Sequence, residues 1–246
     1  MTNTDWVLIR LDNTDSTNNY AMQLVNDDKA HHGLTITAQS QHSGKGQRGR
    51  KWADVPGKSL LMSIIITPQM PISAQFAFSA SIAVAVVNVL QKLLPSCPVQ
   101  IKWPNDIIVN DKKAGGILIE NALRGSLWTH SIVGIGLNIL QESFPDNLPA
   151  ATSLLIASGQ TLQVDEIRDE LRSAIVACSA RPVKTSAIMD TYNQLLFHRG
   201  KQQLFTRNDE TWYATIVQAH EDGTLEVLTS EGYTDFYIHG QVKWVY

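Results

Sequence analysis

Twenty consecutive residues, from Ile72 to Gln91, carry no formal charge, and this run most restricts the folds open to the chain. Its length is sufficient for a helix that crosses a bilayer. Polar residues nevertheless interrupt it at positions 73, 75, 79, 81, 88 and 91, and alanine is its commonest residue. Because polar groups are costly to bury in lipid, we expect a helix inside a soluble globular protein rather than a membrane span.

The composition agrees with a soluble, folded chain. Its 246 residues are 43% hydrophobic, which allows one or two domains with a sizeable core. A net charge of −3 and a pI of about 6.1 argue against a protein that coats nucleic acid. Cys97 and Cys178 have no neighbours at metal-ligand spacing, so we expect neither a disulfide nor a zinc site, and a cytoplasmic location.

Apolar periodicity and turn residues predict a chain that contains both helices and strands. Helices are predicted over 17–28, 73–94, 165–180 and 185–197, the third of them capped by Asp165. Strands are predicted over 34–38, 59–67, 99–103, 107–109, 116–122, 127–140, 212–219, 224–229 and 233–239. Because the last three are short and separated by glycine turns, they predict a small meander or barrel, and we divide the chain into domains 1–197 and 198–246.

The segment Gly44 to Trp52 is a glycine-rich basic loop, in which lysines and arginines alternate with three glycines. Glycines let backbone N–H groups approach an anion, and the cationic side chains add charge-assisted hydrogen bonds to phosphate or carboxylate oxygens. A solvated surface loop is the alternative. The glycines also match the GxGxxG pattern, but no amphipathic helix opens at Gly49, which disfavours a Rossmann site.

A second string runs from Lys102 to Asp106 and reads Lys-Trp-Pro-Asn-Asp. The proline makes the preceding residue extended, so we expect Lys102 to end a strand and Asn105 and Asp106 to lie in a turn. Lys102 and Asp106 could form a surface ion pair, or they could bind a nucleotide through its phosphate and its Mg²⁺ or ribose.

Glycines also mark two later strands. Lys113 precedes Gly115 and Gly116, while Gly136 lies shortly before Asn138. Glycine inside a strand indicates close approach by a neighbour or a ligand, and Lys113 would extend its ammonium group into the space that the glycines leave. Taken singly, each of these features is more often a matter of packing than of function.

In this order the strings resemble those of the biotin–protein ligases (biotin–acetyl-CoA-carboxylase ligases). The family's usual strings are close to DSTN, GRGRRGR, KWPND, KxxGIL and GxGxN. They stand here at 15–18, 44–50, 102–106, 113–118 and 134–138. The resemblance covers essentially the whole chain and implies an α+β fold: a catalytic domain similar to class II aminoacyl-tRNA synthetases, with a mixed sheet flanked by helices, and a small C-terminal SH3-like barrel. Fourteen residues precede Asp15, too few for the DNA-binding winged helix of repressor-type members, so the monofunctional class is expected.

The resemblance implies a two-step reaction. The carboxylate of biotin attacks the α-phosphate of Mg·ATP, which gives biotinyl-5′-AMP and pyrophosphate. A lysine of a biotin carboxyl carrier domain, belonging to acetyl-CoA carboxylase or a related carboxylase, then takes the acyl group and releases AMP. Biotin, ATP and Mg²⁺ are therefore the expected ligands, with no metal site on the protein, no nucleic-acid or membrane partner, and a monomer or homodimer as the assembly.

The resemblance also implies the site residues. Lys113, Arg48 and Asp106 are the expected catalytic residues: Lys113 matches the family's essential lysine, and Asp106 would orient or deprotonate the acceptor lysine. Those expected to bind ligands are Ser16, Thr17, Asn18, Gln41, Gly44, Lys45, Gly46, Gln47, Arg50, Trp52, Lys102, Asn105, Gly116, Gly136 and Asn138. The polar residues at 16–18 and 41 suit the ureido ring of biotin, and those at 105, 106, 136 and 138 would lie near the nucleotide.

The basic loop departs from the family at two positions, since Lys45 and Gln47 stand where arginine is usual. Lys45 keeps the positive charge of arginine but cannot donate two parallel hydrogen bonds to one anion, and Gln47 is uncharged. Both differences predict weaker retention of biotinyl-5′-AMP. Two alternatives remain open: a lipoate or octanoate ligase or transferase of the same fold, and a non-catalytic biotin sensor. The polar string at 15–18 favours biotin over an acyl tail, and the presence of Lys113 and Asp106 favours an enzyme.

Overall fold

The computed structural model describes residues 7–180 and 184–245. Its larger unit is built on a seven-stranded mixed sheet in the order β1-β2-β3-β7-β6-β5-β4. Strands β1 and β2 pair in parallel, and the other neighbours are antiparallel. The strands are β1 Leu8–Thr14, β2 Thr35–Gln41, β3 Ser59–Ile66, β4 Val99–Lys102, β5 Asp106–Val109, β6 Lys112–Arg124 and β7 Leu127–Asn138. The α+β prediction with a mixed sheet is confirmed.

Helices cover both faces of this sheet. They are α1 Thr17–Asn26, α2 Gln75–Leu93, α3 Leu154–Ser158, α4 Val164–Ser179 and α5 Thr185–Gln194. Every residue of β3 is buried because one of its faces packs under α1, where Ile65 joins Ala21 and Ile132, and the other belongs to the main core. Burial on both faces explains why β3 is a continuous apolar run rather than an alternating one.

The uncharged run forms α2, preceded by a turn of 3₁₀ helix at Ile72–Ala74. By length and composition alone, Ile72–Leu93 could cross a membrane. In the fold, however, Phe78, Ile82, Val86 and Leu90 lie in the main core and are at most 2% exposed. The prediction of a buried helix in a globular fold is confirmed for this segment.

The C-terminal unit is a five-stranded antiparallel sheet in the order β11-β10-β9-β8-β12. Its strands are β8 Gln202–Arg207, β9 Glu210–Ala219, β10 Leu225–Thr229, β11 Thr234–Tyr237 and β12 Lys243–Val245. Phe205, Tyr237 and Trp244 are buried and pack with ring centroids about 6 Å apart. The three predicted strands are present, while β8 and β12 were missed because one is mostly polar and the other has only three residues.

Three contacts attach the C-terminal unit beside the turn between β4 and β5. Asn193 exchanges two hydrogen bonds with the backbone of Ala219, at 2.8 and 2.9 Å. Trp103 Nε1 donates to the carbonyl of Gly223 at 3.2 Å. The second unit is thereby held at the edge of the first sheet where Lys102 and Asp106 lie.

Some predicted boundaries were wrong. The third predicted helix is α4, but Gln163 is its N-cap, and Asp165 lies in the first turn, where it pairs with Arg168. β6 begins at Lys112, four residues earlier than predicted, because those residues pair with β5. The edge strand β1 and the short helix α3 were not predicted, since neither shows a clear apolar repeat.

Candidate active site

A cavity of about 340 Å³ opens where the two units meet. Its walls come from the start of α1, the end of β2, the basic loop, β3, the β4–β5 turn, β6, β7 and the C-terminal unit. Of the site residues predicted from the sequence, the following line it: Ser16, Thr17, Asn18, Gln41, Lys45, Gly46, Gln47, Arg50, Trp52, Lys102, Asn105, Asp106, Lys113, Gly116 and Gly136. Positions far apart in sequence therefore meet in one space.

The first wall is neutral and polar. The Thr17 backbone N–H donates to Gln41 Oε1 at 2.8 Å, and the Thr17 hydroxyl lies 3.1 Å from the same oxygen. Behind them, Ser63 Oγ is 2.7 Å from Thr17 Oγ1 and 2.6 Å from Asn18 Oδ1. Because these side chains are bonded to one another and all but Gln41 are buried, the wall presents donors and acceptors in fixed positions.

The basic loop folds back on itself over the cavity. Gly46 N–H donates to the carbonyl of Arg50 at 2.7 Å, and the backbones of Lys45 and Lys51 form an isolated antiparallel β-bridge. Arg48 and Gly49 both have positive φ, at 55° and 75°, which turns the tip of the loop. One arm of the loop thus places Lys45 at the cavity, and the other places Arg50 there.

Trp52 ends the loop by packing its ring on β7. A Cβ added to Gly136 would lie 2.5 Å from Trp52 Cε2, so only glycine lets the indole reach this position. The indole Nε1 is buried and has no hydrogen-bond partner among the described residues. A buried donor without a partner is costly, and a ligand with an acceptor at this point would satisfy it.

The second wall is cationic. Lys113 Nζ lies 2.6 Å from Asp106 Oδ1, with the two side chains 34% and 19% exposed. Burial lowers the pKa of Lys102 to about 8; Asp106 opposes this shift, and Lys113 and Arg50 add to it. The Lys102 ammonium also lies 5.0 Å from the centroid of the Trp244 ring. Because Lys113 and Arg50 lie close enough to Lys102 to lower its pKa, this wall would attract an anion.

The turn between β4 and β5 is held rigidly. Asn105 Nδ2 donates to the carbonyl of Ile117 at 2.6 Å, and Tyr192 donates its hydroxyl proton to the carbonyl of Pro104 at 3.0 Å. The prediction that Asp106 lies in the turn was wrong: Asp106 is the first residue of β5 and pairs with Lys102 and Gly116. Pairing on both sides fixes its carboxylate beside Lys113.

Three predicted site residues lie outside the cavity lining. Arg48 Nη1 donates to the carbonyl of His239 at 2.8 Å, which directs the guanidinium toward the C-terminal unit. Gly44 is the first residue of the loop, where a Cβ would come within 2.7 Å of the carbonyl oxygen of Trp52. Asn138 is 7% exposed and donates to the carbonyl of Thr152 at 3.1 Å.

The C-terminal unit supplies a part of the lining that was not predicted from the sequence. These residues are Phe205, His239, Gly240, Val242, Lys243 and Trp244. Burial lowers the pKa of the His239 imidazole, with Arg48 and Arg50 contributing. The strings that mark the site end at residue 138, and no pattern in a small β unit indicates which of its residues face the rest of the chain.

Known proteins share both the sequence and the fold. Residues 11–138 match the biotin/lipoate A/B protein ligase family. The chain is 31% identical over 230 residues to the biotin–[acetyl-CoA-carboxylase] ligase of Paracoccus denitrificans, covering 89% of each chain. It is 37% identical over 158 residues to the bifunctional ligase/repressor BirA of Bacillus spizizenii, covering 63% of this chain and 48% of that protein, about half its length.

The fold matches the biotin protein ligase from Aquifex aeolicus, solved in complex with biotin and ATP. The TM-score is 0.78 at 23% identity, over 97% of this chain and 98% of the other. At this level of identity the likeness concerns the fold.

Proposed function

The chain belongs to the biotin/lipoate A/B protein ligase family, and from that premise we propose that it is an ATP-dependent biotin–protein ligase. The observation that carries the proposal is the pairing, within one cavity, of a neutral polar wall with a cationic one. Biotin has a neutral ureido ring at one end and a carboxylate at the other, so it would span the two walls. ATP would occupy the cationic side.

In the first step, the biotin carboxylate would attack the α-phosphate of ATP, and the bond to the departing pyrophosphate would break. Two anions must approach each other, so preorganised positive charge at the point of contact would lower the barrier. Lys113, Lys102 and Arg50 are the side chains that would supply it. Mg²⁺ would arrive as part of the Mg·ATP substrate; over 7–180 and 184–245 there is no group of three or more His, Cys, Asp or Glu side chains that could hold a metal.

In the second step, the amine of an acceptor lysine would attack the acyl carbon, and AMP would leave. The amine must be neutral to attack, and nearby cations would favour loss of its proton. Asp106, held 2.6 Å from Lys113, is the carboxylate that would orient the amine or take that proton. The acceptor is proposed to be the biotin carboxyl carrier domain of a biotin-dependent carboxylase.

The polar wall supports biotin rather than lipoate as the substrate. The Thr17 hydroxyl and the Gln41 amide would bond to the ureido ring, whereas an acyl tail offers these groups no partner, and their desolvation would oppose its binding. The Trp52 indole Nε1, which has no hydrogen-bond partner among the described residues, would add a donor for the ureido ring. A binding comparison, by thermal shift with biotin and with lipoate, tests this choice: we expect a shift with biotin only.

We further infer that the C-terminal unit is SH3-like and that the larger unit resembles the class II aminoacyl-tRNA synthetases. The boundary at 197/198 is supported by strand pairing, since the strands after it pair only with one another in the described part of the chain. The monofunctional class, the cytoplasmic location and the absence of a nucleic-acid partner stay predictions.

The function is tested by mixing the protein with Mg·ATP, labelled biotin and a biotin carrier domain. We expect label on the carrier that survives acid, because an amide bond forms. A carrier variant lacking its acceptor lysine is the control. Acid-labile label alone would indicate activation without transfer, and absence of any label would contradict the proposal.

A further inference from the structure

Glu120 lies on β6, two residues beyond the 113–118 string, and does not line the 340 Å³ cavity. Its two carboxylate oxygens have different partners. Oε2 accepts a hydrogen bond from Asn18 Nδ2 at 2.7 Å, and Oε1 lies 3.2 Å from Lys45 Nζ. One side chain therefore joins the polar wall at the start of α1 to the basic loop.

The α1 side of this connection is rigid. Asn18 is 3% exposed, and its Oδ1 accepts from Ser63 Oγ at 2.6 Å while its Nδ2 also reaches the carbonyl of Leu118 at 3.3 Å. The side chain lies directly over Gly134, where any Cβ would overlap Asn18 Oδ1. Asn18 therefore acts as a fixed point, and Glu120 is held against it.

The basic loop is held against the rest of the fold by side-chain contacts. The hydrogen bond from Gly46 N–H to the carbonyl of Arg50 joins the two arms of the loop to each other, not to the sheet. Besides Trp52, which packs on β7, two side chains of the loop extend to other elements: Lys45 to Glu120 and Arg48 to the carbonyl of His239. Lys45 is 41% exposed, so without Glu120 it would be free to move into solvent.

We propose that Glu120 is a positioning residue that anchors the basic loop to the α1 wall. It holds Lys45 at the cavity before any ligand binds, so the conformational entropy of the loop is already reduced when an anion arrives. The anchoring follows from the contacts alone. Its consequence, longer retention of biotinyl-5′-AMP, rests on the proposed function.

The anchoring is tested by limited trypsin digestion of the ligand-free protein, because the loop offers cleavage sites after Lys45, Arg48, Arg50 and Lys51. In Glu120→Gln we expect cleavage in the loop to be at least about threefold faster than in the wild type, as loss of a partly exposed ion pair allows. Glu142→Gln is the matched control: Glu142 pairs with Lys58 at 3.0 Å, and Lys58, like Lys45, is 41% exposed. We expect its loop cleavage to be unchanged.

A double variant shows whether Glu120 acts through Lys45. Cleavage after Arg48 should be equally fast in Lys45→Met and in Lys45→Met with Glu120→Gln, because the anchor is already lost in the first. Equal rates of loop cleavage in the wild type and in Glu120→Gln would overturn the proposal. It would also be overturned if Glu142→Gln accelerated loop cleavage as much as Glu120→Gln does. Faster cleavage along the whole chain, with a lowered Tm, would also overturn it by indicating general destabilisation.

A second measurement reports on the consequence. In Glu120→Gln we expect faster release of biotinyl-5′-AMP, with the adenylation rate at saturating biotin and ATP close to that of the wild type. A reduced adenylation rate with normal release would contradict a positioning role. If the wild type forms no adenylate, the proposed function fails, and the digestion experiment still decides whether Glu120 anchors the loop.

Discussion

Lys102, Asp106 and Lys113 lie on three neighbouring strands, β4, β5 and β6, and their charges define the centre of the site. The 2.6 Å contact between Lys113 and Asp106 is only partly exposed, so solvent screens it less than a surface pair. Lys102 bears its charge in a more buried position, where its pKa falls to about 8. An anionic ligand would stabilise the charged form of Lys102.

We expect Lys113→Ala to lower the rate of biotin-dependent ATP–pyrophosphate exchange by at least about 100-fold, because one preorganised charge is lost. The neighbouring lysine supplies a control: Lys112 is exposed and lies outside the cavity lining. Lys112→Ala should leave the exchange rate within about twofold of the wild type. Near-normal exchange in Lys113→Ala would remove this residue from the site.

The lowered pKa of Lys102 predicts a pH dependence. Its value of about 8 in the folded protein lies below the ordinary 10.5, so between these values the unfolded chain binds more protons and the contribution of Lys102 to stability rises with pH. The affinity for ATP should instead fall as the pH rises, because neutral Lys102 attracts phosphate less than protonated Lys102 does. We therefore expect kcat/KM for ATP to fall as the pH rises through about 8. Lys102→Arg keeps its charge and should flatten this fall; a profile like that of the wild type would contradict the assignment.

At the scale of elements, the basic loop determines how tightly the site closes. It is built from two short arms, with Lys45 anchored on Glu120 and Arg48 on the carbonyl of His239. Gln47 lies on the cavity side of the same loop, where the family usually has arginine. An uncharged amide contributes no Coulomb attraction to a phosphate, so we expect the loop to hold an adenylate less strongly than it would with arginine at this position.

Restoring the charge should tighten the site. We expect Gln47→Arg to slow the release of biotinyl-5′-AMP by about tenfold, the effect of one charge-assisted hydrogen bond. The release rate is measured by rapid filtration after single-turnover adenylation. Gln69→Arg adds the same charge outside the cavity lining and serves as the control. An unchanged release rate in Gln47→Arg would show that this position does not affect retention.

The sequence predicted elements and site residues unequally, for physical reasons. The fully buried β3 and the core helix α2 were recognisable because their apolar runs reflect burial. The basic loop and the 102–106 string were recognisable because their chemistry is local. The edge strand β1 shows no such pattern, and the roles of His239 and Trp244 in the cavity depend on how two units pack, which no local pattern encodes.

At the scale of the whole molecule, the C-terminal unit completes the cavity instead of standing apart from it. Trp244 packs near the Lys102 ammonium, and the carbonyl of His239 binds Arg48. Gly240 follows with a φ of 87°, and it lies so close to Arg48 that any Cβ would overlap the guanidinium. The second unit thus helps to position a loop that belongs to the first.

This contact between the units is testable with a pair of glycines. Gly240 and Gly232 share a φ of 87°, but a Cβ at Gly232 would meet nothing within 4 Å. Both alanine variants therefore carry the same backbone strain, and only Gly240→Ala displaces Arg48. We expect Gly240→Ala to raise the KM for ATP by about threefold to tenfold over Gly232→Ala, at similar Tm. Equal KM values would show that the Arg48 contact has no part in binding.

We propose that one cavity, covered by the basic loop, holds biotin and ATP together beside Lys113. A crystal structure of the protein with biotin and a non-hydrolysable ATP analogue would show where the two ligands bind. We expect the ureido ring against Thr17 and Gln41, and the biotin carboxylate and the α-phosphate within hydrogen-bonding distance of the Lys113 ammonium. Ligands bound away from residues 44–50 and Lys113 would contradict it.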